Sequence, residues 1–118
     1  MLDINEAKDF VENNNIANQI SASKIRKFLS AVNKINNKVR YQNRDDILSE
    51  DIVAEIAYMR IQFAYIVGKD KNNKGLKKLH EKLDNAMANI KNSKAEFINF
   101  AKYVEAIVAY HKFYGGRD

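Results

Sequence analysis

The chain has 118 residues, no Cys, no Pro and a formal net charge of +5. That is one domain's worth of sequence, read as a single helical domain over residues 1–118. With no Cys, a disulfide framework and thiolate metal sites are excluded. The acidic, polar start Met1-Leu2-Asp3-Ile4-Asn5-Glu6 is unlike a signal peptide, and no apolar run is long enough to span a bilayer. A cytoplasmic protein with no membrane partner is the expectation.

Five helices are predicted, forming a compact all-α bundle. The first runs from about Ile4 to Asn13, with Ile4, Ala7, Phe10 and Val11 on one face, and Asn13-Asn14-Asn15 ends it. The second runs from about Ser23 to Tyr41, with Ser21 or Ser23 as N-cap. Its apolar positions Ile25, Phe28, Leu29, Val32, Ile35 and Val39 recur at spacings of three and four. Lys24, Lys27, Lys34 and Lys38 form a second stripe, rotated about a third of a turn from the first.

The third helix runs from about Ser49 to Val67. Ser49 caps it, Glu50 and Asp51 suit the positive end of its dipole, and Gly68 in a left-handed conformation is expected to stop it. Between Ile52 and Val67 only Glu55 and Arg60 are charged. A helix apolar nearly all round is normally central, so this one is predicted to be the hub. A polar, mobile loop from Lys69 to Gly75 follows. The fourth helix carries Leu76, Leu79, Leu83, Met87 and Ile90 on its inner face. The fifth opens with the capping box Ser93-Lys94-Ala95-Glu96 and carries Phe97, Phe100, Val104, Ile107, Val108 and His111, with Gly115-Gly116 beyond its end.

Catalytic and metal-binding patterns are missing. No HExxH, CxxC, EF-hand or phosphate-loop spacing occurs, and no converging acid, base and nucleophile can be assembled. A non-enzyme without cofactor or metal is expected. His111 reads as a core histidine with one partner. The cluster Asp45, Asp46, Glu50, Asp51 and Glu55 reads as a helix start and a counterweight to nearby lysines. Two readings stand for Arg60: a structural ion pair, with Glu55 or a distant carboxylate, or a guanidinium offered to a phosphate or a neighbouring subunit. Tyr103, Tyr110 and Tyr114 form a stripe that suits a core edge or protein interface better than base stacking.

Charge is segregated. From Asn13 to Arg44 there is no acidic residue, while Lys24, Arg26, Lys27, Lys34, Lys38, Arg40 and Arg44 fall within that stretch. A second block follows at Lys69, Lys71, Lys74, Lys77, Lys78 and Lys82. A face that merely keeps a protein in solution generally mixes signs. This pattern favours binding of a polyanion, positioned through its phosphates.

Three segments carry a resemblance. Ser23-Lys24-Ile25-Arg26-Lys27-Phe28-Leu29-Ser30 is similar to an S-x-I-R-K-hydrophobic motif. Ala57-Tyr58-Met59-Arg60-Ile61-Gln62-Phe63 through Gly68-Lys69 is similar to a Y-hydrophobic-R-hydrophobic-Q-F…G-R/K motif. Tyr103-Val104-Glu105-Ala106-Ile107-Val108-Ala109-Tyr110-His111-Lys112-Phe113-Tyr114-Gly115-Gly116-Arg117-Asp118 is similar to a C-terminal E-A-hydrophobic-V-A-Y-x-K-F-Y-G-G-K/R-D ending. In this order they resemble the small subunit of the type III-A CRISPR ribonucleoprotein, the Csm complex. The resemblance implies a non-catalytic structural subunit, present in several stacked copies, that lines the groove where guide RNA pairs with target RNA. Its partners would be those RNAs, the other Csm subunits and neighbouring copies of itself. It implies Arg26, Lys27, Arg60, Lys69 and Lys112 as basic motif positions. Lys24, Lys34, Lys38, Arg40 and Arg44 are added from charge placement. The alternative is a protein-only interaction module using the tyrosine face of the last helix.

Overall fold

A computed structural model of the chain describes residues 2–41 and 46–117. Six helices are present among them: α1 (Glu6–Asn13), α2 (Ile16–Gln19), α3 (Ala22–Tyr41), α4 (Glu50–Gly68), α5 (Lys74–Ile90) and α6 (Lys94–Phe113). No strand is formed among the described residues, only an isolated bridge between Ile47 and Ser93. The all-helical expectation holds, with one short helix more than predicted. That helix, α2, is a single turn entered through Asn15 at φ 54°. Asn tolerates this left-handed conformation better than most residues. One turn leaves too little periodicity to be seen in sequence.

Side chains open the longer helices. Ser21, Ser49, Asn73 and Ser93 accept from the backbone amides of Lys24, Ile52, Leu76 and Glu96, at 3.2, 3.3, 2.9 and 3.2 Å. Each satisfies a donor that the first turn leaves free. Asn73 also explains a difference from expectation: α5 begins at Lys74, so Gly75 lies in its first turn and not in the loop. There α5 crosses α2 so closely that a Cβ on Gly75 would stand 2.6 Å from Gln19 Oε1. The preceding loop is tied down by Asn73 Nδ2, which donates to the Gln19 carbonyl at 2.6 Å. Gly68 is the last residue of α4, but its φ is not positive; the helix runs on into a right-handed Lys69.

The hub is α6, not α4. It packs most extensively against α3 and also against α1, α5 and α2, whereas α4 lies against α3 and α5. Its buried positions, Phe97, Phe100, Ala101, Tyr103, Val104, Ile107 and His111, cover a wide arc. On α4 the inward stripe is Ile52, Ile56, Met59, Phe63 and Val67, with Phe63 edge-on to Phe28 of α3 at 4.3 Å between ring centres. Among the described residues no layer covers the opposite side. Tyr58, Ile61 and Tyr65 are 61, 64 and 67% exposed. Apolarity around a helix marks a core position only if neighbours exist to cover each face.

The C-terminal ending closes the bundle. His111 is buried and its Nε2 donates to the Ile20 carbonyl at 2.6 Å, as its place on the apolar stripe predicts. Gly115, at φ 87°, turns the chain back. Gly116 then lies against the imidazole, and the Ala22 amide donates to the Arg117 carbonyl at 2.7 Å.

Candidate nucleic-acid interface

The basic stripe of α3 divides into three parts. At the N-terminal end Lys24 pairs with Asp70 at 3.1 Å, and this bond first, with one from Asn73, holds the Asp70 carboxyl below the usual range. At the C-terminal end Lys38 pairs with Glu55 of α4. Between them Arg26, Lys27 and Lys34 are exposed and line a groove of about 1100 Å³ between α3 and α4. Among the described residues no carboxylate forms an ion pair with Lys27 or Lys34. The other wall of the groove is the uncovered side of α4, with Tyr58, Ile61 and Tyr65.

The remaining candidates are dispersed. Arg40 is exposed on another side of α3, beside Lys94, Lys102 and Glu105 of α6. Lys69 follows α4, and its ammonium stands 5.3 Å from the centre of the Tyr65 ring. Lys112 is exposed near the end of α6, next to the solvent-facing Phe113. Arg44 lies outside the described residues. In the second basic block Lys82 pairs with Glu6, and Lys78 donates to Asn14 Oδ1 at 3.2 Å.

Arg60 joins two helices. Its Nε and Nη2 donate to Oδ1 and Oδ2 of Asp84 on α5, at 2.8 and 3.1 Å. This two-pronged fork lowers the Asp84 carboxyl and raises the guanidinium, chiefly through the hydrogen bonds themselves. The partner is a distant carboxylate, one of the two kinds the sequence allowed.

The tyrosine stripe of the last helix does not form one face. Tyr103 is fully buried, and only Tyr110 and Tyr114 stand near the surface, edge-on to Phe113 at 6.4 and 5.0 Å. Position 103 points into the centre of the bundle because α6 is the hub and has little free surface. The exposed tyrosines that matter for shape are Tyr58 and Tyr65. Their signal was present in the sequence as a second stripe, 58–61–65, offset from the core stripe 52–56–59–63–67. It reads as all-round apolarity unless the two are separated.

The chain is thus a small helical bundle presenting a cationic groove with one apolar wall. Its sequence matches the family model described as Csm2 Type III-A over residues 3–117. The CRISPR system Cms protein Csm2 of Enterococcus italicus is 34% identical, the alignment covering 97% of this chain and 90% of that protein. The protein of the same description from Streptococcus thermophilus is 32% identical over 95% of this chain and 88% of its own length. The chain belongs to the Csm2 family, the small subunits of the type III-A CRISPR Csm complex.

Proposed function

We propose that this chain is a non-catalytic, RNA-binding structural subunit that lines the guide and target RNA groove of a cytoplasmic type III-A complex. It stands there beside other Csm subunits and further copies of itself. The observation that carries this reading is the pair Lys27 and Lys34, both exposed, on one wall of one groove and free of internal carboxylates among the described residues. Such cations exchange counterions for phosphates at little cost. Arg26 belongs to the same wall. Lys24, Lys38 and Arg60 are held by acids of this chain and reach a phosphate only by giving up or sharing those partners, so they rank lower. Arg40 and Lys112 remain candidates for binding away from the groove, Lys69 stands at its Tyr65 edge, and Arg44 remains a candidate from charge placement alone.

Charge reversal tests the reading. Lys27→Glu with Lys34→Glu lowers affinity for single-stranded RNA at low salt by tenfold or more, the scale expected when a few phosphates are no longer neutralised. Circular dichroism stays that of the wild type, because both side chains are exposed. An unchanged gel shift with a normal helical spectrum removes the groove from the RNA path.

A further inference from the structure

The groove between α3 and α4 has two unlike walls, and the difference specifies more than a phosphate track. Lys27 and Lys34 are seven residues apart, two turns on one side of α3. Tyr58 and Tyr65 are likewise seven apart on α4, with Ile61 between them. Each pair spans about 10.5 Å along its helix at 1.5 Å per residue. A cationic rail therefore runs beside an aromatic one, and both line the same opening.

The three apolar side chains of the α4 rail are each more than three-fifths exposed. Uncovered rings of this size cost free energy in water and gain it under a flat apolar partner. Acid is scarce here: among the described residues Glu55 is the one carboxylate lining the groove, and Lys38 pairs with it. Lys69, over the Tyr65 ring, adds positive charge on the aromatic side. The occupant that matches has negative charge along one edge and flat rings along the other. Single-stranded RNA has this form. A duplex does not, because its bases are paired and stacked inside.

We propose that this groove is a single-strand site in which unpaired bases stack on Tyr58 and Tyr65 while their phosphates lie on Lys27 and Lys34. This rests on the RNA-binding reading and adds to it. Binding through the phosphate backbone alone is indifferent to whether bases are present; this mode is not.

Fluorescence anisotropy separates the two. The probes are a short oligoadenylate, an abasic oligonucleotide of equal length and a hairpin duplex. The wild-type protein binds the oligoadenylate about tenfold or more tighter than the abasic strand, the scale of one stacked base. It also prefers the oligoadenylate to the hairpin. In the double variant Tyr58→Ala/Tyr65→Ala the affinities for oligoadenylate and abasic strand converge, while the salt slope of binding is retained. Lys27→Glu with Lys34→Glu weakens binding to both strands. Equal wild-type affinity for base-bearing and abasic strands overturns stacking and leaves the phosphate reading intact. Failure to bind either strand overturns both. A wild-type dimer in sedimentation velocity, dissolved by the tyrosine variant with RNA affinity unchanged, assigns the face to a second copy of the chain and overturns the proposal.

Discussion

Two buried residues show how single positions set local stability. The Tyr103 hydroxyl is buried with no hydrogen-bond partner among the described residues. Burial first, and the Glu6 carboxylate second, push its ionisation above the usual tyrosine range. A raised pKa in the folded state contributes stability that is complete below the unfolded value, near 10. That contribution is lost as pH rises beyond it. Tyr103→Phe removes both the unpaired hydroxyl and the titration. The variant should be as stable as the wild type or more so at neutral pH, by up to about 1 kcal/mol. It should also lose less stability between neutral and strongly alkaline pH, measured by urea unfolding across that range. Gly116 is the second case. A Cβ there would stand 2.0 Å from the His111 ring, whereas one on Gly68 meets nothing within 4 Å. Gly116→Ala should cost about 1–3 kcal/mol, the usual range for overpacking. Gly68→Ala should be neutral or gain up to about 1 kcal/mol through helix propensity. Equal denaturation midpoints for the two variants would contradict the tail's packing over His111.

Among the helices, α4 depends most on its attachments, since the described residues cover it on one side only. Phe63 holds it to α3 and the Arg60–Asp84 fork holds it to α5. The fork is partly wet, its side chains 39% and 33% exposed, so it is worth at most about 1 kcal/mol. Asp84→Asn should lower stability by no more than this. The sign with pH follows from the lowered Asp84 carboxyl. Its contribution is present above the ordinary carboxylate range and lost as pH falls through the lowered value. The gap between wild type and Asp84→Asn in urea midpoint should therefore close on acidification. A gap that widens in acid would mean that Arg60 is not Asp84's partner in solution.

Taken over the entire surface, the net charge of +5 understates the field because pairing is uneven. Lys24, Lys38, Lys82 and Arg60 are offset by acids of the same chain. In the groove, Lys27 and Lys34 form no ion pair with a carboxylate among the described residues. Binding to a single strand should weaken steeply with salt. The slope of log affinity against log salt should flatten by roughly 0.7 for each phosphate that the Lys27 and Lys34 variants no longer neutralise. Lys24→Gln should change it less, since that lysine already has Asp70. Equal slopes for all three variants would put the RNA elsewhere on the surface.

The helices were legible before folding was considered, because their signals are local. Capping residues and apolar spacing located α3, α4 and α6 to within a residue or two, and the motifs read in order disclosed the family. The single turn of α2 and the start of α5 at Lys74 escaped, being set by one left-handed Asn and one Asx cap. Which helix is central emerged only in three dimensions, since periodicity reports how much of a helix is apolar and not how many neighbours cover it. Only packing could show α4 uncovered and Tyr103 enclosed. Packing also sorted the cations, because whether a lysine is free depends on carboxylates distant in sequence: Asp70 for Lys24, Glu55 for Lys38, Asp84 for Arg60. An ion pair forms through space, and spacing along the chain carries no record of it.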